Sequence, residues 1–272
     1  MFPADWPRWG FMWTLALAIY AGFKWLSWRR TPVPNIPRWR HVSYLIAWPG
    51  MDAAAFLNSS SNSKLSPCYW SEWFFALTKF ATGLFLFWGV TKIVPQQNQL
   101  IAGWIGMIGI VMTLHFGLFH LLSCGWRTIG VDAPPLMNWP LSSESISEFW
   151  GVRWNTAFRD LTHRFLFRPL IPWCGAPGTI VVAFLLSGLI HDLVISVSAQ
   201  GGYGWPTAFF LIQGFAILGS RSTIGRRIGL RSSLLGWCFT IGVLLLPLLL
   251  LFQPLFVQEV IVPFMKDMKA IQ

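Results

Sequence analysis

The chain has 272 residues, 54% of them hydrophobic and only 11% charged, with 18 Trp, 23 Phe and a mean hydropathy of +0.54. So little charge excludes a disordered chain, and so much apolar side chain excludes an ordinary soluble enzyme, whose polar surface could not cover it. The excess of 20 Lys+Arg over 10 Asp+Glu sits between the apolar runs, so it reads as the positive-inside bias of a multi-pass membrane protein rather than a nucleic-acid surface.

The first apolar run, Trp9–Trp28, has a weak basic flank and no convincing cleavage site, so it is read as a retained membrane helix. Arg29–Arg40, with three prolines and four arginines, predicts an extended basic loop. Residues 42–57 are apolar but too short to span, and Pro49-Gly50 breaks them; an interfacial or re-entrant piece is expected. Asn58–Pro67 reads as a Ser/Asn-rich loop. Spans are expected at about 70–94, 100–124 and 177–200, a shorter one at 205–220, and a last at 234–257, kinked but unbroken at Pro247. The fold class is thus all-α: one integral membrane domain over 1–272, with about six to eight transmembrane helices and some interfacial or re-entrant ones. In a six-span arrangement the basic stretches 29–40, 125–170 and 221–231 share the cytoplasmic side and both termini face outward. The four cysteines form no C-x-x-C pair; neither a zinc site nor a disulfide framework is expected, only small buried hydrophobes.

Residues 138–170 break the pattern of spans. Ser145-x-x-Glu148 predicts a capping box. Trp150, Trp154, Phe158, Leu161 and Phe165 then recur at helical spacing, giving one amphipathic helix that Pro169 should stop near Arg168. A plain interfacial anchor with snorkelling arginines has the same outline. The package Trp150-Gly151-x-Arg153-Trp154-Asn155 argues for more, because a helical Gly costs about 1 kcal/mol relative to Ala and anchoring has no use for it. An Asn beside two Trp points to a hydrogen bond needed in an apolar setting.

Within the 177–200 span, His191 and Asp192 are ionisable groups in apolar surroundings, which marks a functional candidate. Ser187 lies one turn before His191 on the same face, and Gly188 allows close approach of a helix or ligand. Asp192 points about 100° away and is no automatic partner of His191. The plain alternatives are a helix-to-helix hydrogen bond or a position near the outer headgroups. His115 and His120, five apart, do not share a face for a metal and read as helix-contact residues; His41 and His163 fall at interfaces.

Phe149-Trp150-Gly151-x-Arg153-Trp154-Asn155, followed some thirty residues later by Ser187-Gly188-Leu189-Ile190-His191-Asp192, resembles the wax synthase branch of the membrane-bound O-acyltransferases. The resemblance covers roughly 135–220. It implies acyl transfer from acyl-CoA, a co-substrate rather than a bound cofactor, to the hydroxyl of a lipophilic alcohol. The family's intramembrane histidine falls on His191 and its conserved polar position on Asn155. Val152 stands where many relatives carry Arg, and Asp192 where many carry Glu. The implied location is a bacterial inner membrane or the endoplasmic reticulum.

The resulting expectation has His191 as general base for the alcohol, with Asn155 positioning His191, the acceptor or the thioester. Trp150, Arg153, Trp154, Arg159, Ser187 and Asp192 contact substrate. Arg164 and Arg168 join Arg153 and Arg159 as candidate contacts for CoA phosphates. A covalent variant would use Ser187 as nucleophile. The rival classes are a transporter or lipid-binding protein with His191 and Asp192 as a polar relay, and a structural membrane subunit. No metal or nucleic acid is expected.

Overall fold

The structure, a computed structural model, describes residues 6–33, 36–58 and 68–271. Among these every regular element is a helix. α1 (Arg8–Arg29) matches the expected first run. α2 (Arg38–Ala47) begins inside what reads as a basic loop, so Arg38 and Arg40 are helical and the loop is shorter than expected. Pro34 and Asn35 of that loop, and all of the Ser/Asn-rich stretch beyond Asn58, lie outside the described residues. The break at Pro49-Gly50 is present: α3 (Ala53–Leu57) restarts the chain with Asp52 accepting from the Ala55 N–H at 3.0 Å.

α4 (Trp70–Trp88) runs alongside α5 (Gln99–Val111), which continues through a π segment, Met112–Leu118, into α6 (Phe119–Thr128). Small residues let these helices touch: a Cβ on Gly109 would lie 3.0 Å from the Gly83 carbonyl oxygen, and one on Gly117 2.6 Å from the Phe80 Cα.

The expected single helix over 145–168 is not formed. α7 (Ile146–Glu148) widens into a π turn, Phe149–Arg153, then Trp154 is extended and Asn155 takes a φ of 44°. α8 (Thr156–Thr162) restarts the helix. Helical periodicity could not show this break, because one left-handed residue interrupts hydrogen bonding without disturbing the apolar spacing. Nor does Pro169 stop the chain. A second π segment, His163–Phe167, leads directly into α9 (Arg168–Ala199), where a proline costs little in the first turn because its N–H has no intrahelical partner. The interruption falls instead at Gly175, with φ 64°.

α10 (Trp205–Arg221), α11 (Thr223–Arg227) and α12 (Leu234–Leu245) follow. The last apolar run ends sooner than expected. Pro247 separates α12 from α13 (Leu248–Leu251), and Phe252 and Gln253 leave the helix before α14 (Pro254–Phe256) and α15 (Val262–Asp267). Four helical runs among the described residues are long and apolar enough to cross a membrane: Trp70–Ile93, Gln96–Thr128, Thr156–Ala199 and Leu234–Leu251.

The cysteine expectation is overturned twice. Cys68 and Cys124 form a disulfide, and Cys174 and Cys238 are exposed free thiols. Two cysteines 56 residues apart carry no sequence mark of pairing; the α4–α6 packing brings them together.

The chain divides into two compact units. The first comprises Met1–Ala16, Trp139–Trp154 and Thr162–Asp267; the second comprises Leu17–Asn138, Asn155–Leu161 and Met268–Gln272. The first centres on buried Ile146, Ile180 and Ile217, against which Trp150, Phe184 and Val243 pack.

Candidate active site

The capped turn, α9 and α10 build the site in the first unit. Ser145 Oγ accepts from the Glu148 N–H at 3.2 Å, and Glu148 Oε2 accepts from the Glu144 N–H at 2.8 Å, so the cap forms much as its sequence predicts. The following turn presents its aromatic residues separately. Trp154 stacks on Phe149, with centroids 5.5 Å apart. Trp150 meets Phe184 edge-on at 5.6 Å and lies 5.8 Å from Phe210. Arg153 is paired with Glu148 at 2.6 Å.

α9 presents Ile180, Phe184, Ser187 and His191 along one face, and α10 answers with Phe210, Gln213, Gly214 and Ile217. The approach is set by glycines: a Cβ on Gly188 would stand 2.6 Å from the Thr207 Cα. The close approach expected at Gly188 is therefore made by a helix. Asp192 ties the hairpin. Its Oδ1 accepts from Ser196 Oγ at 2.7 Å and the Gly204 N–H at 2.8 Å; its Oδ2 accepts from the Thr207 N–H at 3.0 Å and from the Thr207 hydroxyl. A carboxylate there satisfies orphan donors of the α10 first turn and meets the positive end of the helix dipole. Among the described residues no bond joins Asp192 to His191, so a His191–Asp192 relay lacks its link.

His191 lies eight residues, roughly 12 Å along the axis, before the last residue of α9. Its Nδ1 is 2.7 Å from the Ser187 carbonyl oxygen. A carbonyl only accepts, so Nδ1 carries the proton and Nε2 the lone pair. Among the described residues nothing bonds Nε2. The ring packs 4.3 Å from Phe210, centroid to centroid. It is the Ser187 backbone, not its hydroxyl, that meets the imidazole, which removes the contact a Ser187 nucleophile needs.

Asn155 and Arg159 belong to the second unit. Asn155 accepts the left-handed conformation that Asn tolerates better than most residues. Its N–H meets Met137 Sδ at 3.3 Å, and its Oδ1 accepts from the Phe158 N–H at 3.3 Å, starting α8. Arg159 is paired with neighbouring Asp160 at 2.6 Å. Arg164 lies over the Phe165 ring, and Arg168 is exposed. Trp150, Ser187, His191 and Asp192 thus share one assembly of α7, α9 and α10, with Arg153 and Trp154 on the adjoining turn.

Sequence reading missed a second polar cluster, in the second unit. Glu72 Oε1 accepts from Arg127 Nη1 at 2.5 Å and lies 3.0 Å from His120 Nε2, while Lys79 Nζ is 2.6 Å from His120 Nδ1. The available signal was Glu72 and Lys79, two turns apart in an apolar run. His120 is the helix-contact residue its sequence predicts.

Residues 133–212 match the membrane bound O-acyl transferase family. Both motifs that carry the resemblance fall inside that stretch. The chain is similar to the long-chain-alcohol O-fatty-acyltransferase of Simmondsia chinensis, 28% identical over 50% of this chain and 42% of the relative. A probable long-chain-alcohol O-fatty-acyltransferase 6 of Arabidopsis thaliana is 24% identical over 55% of this chain and 45% of its own length. An Arabidopsis acyl-CoA–sterol O-acyltransferase 1 is 28% identical over 31% of this chain and 27% of its own. The chain aligns to less than half the length of each. The O-acyltransferase match and the four apolar helical runs together mark a membrane protein.

Proposed function

We propose that the protein is a multi-pass membrane O-acyltransferase that moves a long-chain acyl group from acyl-CoA to the hydroxyl of a lipophilic alcohol. The observation that carries this reading is His191. Its proton sits on Nδ1, anchored to the Ser187 carbonyl, and its Nε2 faces no protein partner among the described residues. That is the state of a general base, which must accept the alcohol's proton as the oxygen attacks. Phe210 and the tie made by Asp192 hold the ring and its helix in place, and the apolar surroundings keep out water that would hydrolyse the thioester. The names of the relatives supply the substrate classes, and one of them supplies acyl-CoA.

Arg153, Arg164 and Arg168, all in the first unit, enter as contacts for CoA phosphates, reached from the basic, cytoplasmic side. Arg153 would exchange the Glu148 carboxylate for a phosphate as CoA binds. Trp154, stacked on Phe149 next to Arg153, enters as a substrate contact, and Ser187 acts through its carbonyl. Asn155, paired with His191 by the resemblance, enters through the turn it sets ahead of α8. The acceptor is a fatty alcohol or a sterol, in keeping with the relatives.

The test is ester synthesis. Membranes holding the chain, or His191→Ala at matched abundance, receive labelled long-chain acyl-CoA and a panel of alcohols. Label entering an ester only with the unaltered chain is the expected result. Equal label with both removes His191 from the chemistry. No ester with any alcohol, from folded protein, overturns the reading.

A further inference from the structure

The aromatic cluster around His191 holds a buried donor that the proposed chemistry has not yet used. Trp150 Nε1 is buried and has no hydrogen-bond partner among the described residues. Its ring is walled by Phe184 and Phe210 and packed against the Ile146–Ile180–Ile217 cluster, all without an acceptor in their side chains. An indole N–H can only donate. A buried donor without an acceptor is costly, and beside His191 this N–H is placed to meet an acceptor that arrives with a ligand. Phe210 also packs, tilted, against His191, at 4.3 Å against 5.8 Å for Trp150, so imidazole and indole both touch one ring.

We propose that the Trp150 Nε1–H donates to the carbonyl oxygen of the bound acyl thioester and holds the oxyanion that forms there. The inference rests on the acyl-transfer reading. In the step, the alcohol oxygen bonds to the carbonyl carbon as its proton passes to His191 Nε2. The carbonyl electron pair moves onto the oxygen that Trp150 holds. Collapse breaks the carbon–sulfur bond, and the CoA thiolate takes the proton back from His191, leaving ester and free CoA. A donor fixed in an apolar site needs no reorganisation as the charge appears, which is where such donors act most strongly.

The test compares the full chain with Trp150→Phe, which keeps an aromatic ring at the site but removes the N–H together with part of the indole's volume. Turnover is expected to fall about 10²–10³-fold, the usual effect of deleting one oxyanion donor, with the KM for acyl-CoA changed less than threefold and membrane abundance unchanged. Competition by two inert analogues adds a reading that packing would not move. One is an S-alkyl-CoA thioether, without a carbonyl; the other is an S-(2-oxoalkyl)-CoA ketone, with one. The unaltered chain should prefer the ketone about tenfold or more, and Trp150→Phe should lose that preference. Turnover in Trp150→Phe within threefold of the unaltered chain overturns the inference. So does equal binding of both analogues by the unaltered chain, even where the variant fails to fold. An unaltered chain that makes no ester and binds neither analogue overturns the acyl-transfer reading itself.

Discussion

His191 and His120 both stand inside long apolar helices, and their surroundings are opposite. His120 is saturated: Glu72 meets one ring nitrogen and Lys79 the other, with Arg127 completing the cluster on Glu72. His191 has one nitrogen pinned to its own helix and, among the described residues, no bond to the other, which lies among aromatic rings. A saturated histidine fixes helices to one another; an open one remains able to take a proton from something that is not protein. Ionisable groups inside a membrane protein are costly, so the partner set, more than the residue type, separates holding from chemistry.

Substitution sharpens that difference. His191→Ala should lower ester formation about 10²–10⁴-fold, the usual reach of a general base, with normal abundance. His120→Ala should leave turnover per folded molecule within threefold while lowering the melting temperature in detergent. The opposite pattern, measured on the same purified material, would break the comparison. Gly188→Ala comes next. Its new Cβ would meet the backbone of Thr207, forcing α9 and α10 apart at a cost of about 1–3 kcal/mol and carrying Phe210 away from His191. Both melting temperature and turnover should fall together. Gly151→Ala should do least. Nothing lies within 4 Å of a Cβ there, so the helix gains up to about 1 kcal/mol and turnover holds steady. A large loss of turnover in Gly151→Ala would mean that substrate itself approaches this turn.

The spans at 70–94, 100–124 and 177–200 were legible because bilayer length and apolar composition leave few alternatives, and α4, the α5–α6 rod and α9 fall there. The Ser145 cap and the Pro49-Gly50 break were legible because each depends on a few adjacent residues. Asn155 was legible as a residue that makes a hydrogen bond, and its Oδ1 does accept from the Phe158 N–H; its left-handed backbone ahead of α8 was not legible. Pro169 does not stop the chain, because a π segment carries it through, whereas Pro247 makes the expected kink inside the apolar run Leu234–Leu251. His191 was legible as a candidate from burial in an apolar run. Its open Nε2 was not, because that depends on which face α10 covers. The Glu72 cluster was hidden for the same reason: its partners are 48 and 55 residues away.

The bond between Cys68 and Cys124 also bears on sidedness. Both sulfurs lie at the end of α4 and α6 from which Arg127 and the following basic stretch emerge, the end that the arginines assign to the cytoplasm. Cytoplasmic thiols are kept reduced, whereas an oxidised pair persists in the endoplasmic reticulum lumen or the periplasm. Residues 68 and 124 therefore report the compartment their end faces. Because Cys124 is buried, cells are denatured directly into an alkylating reagent: both residues are labelled when the arginine asymmetry governs insertion, and neither when the covalent link records the true orientation.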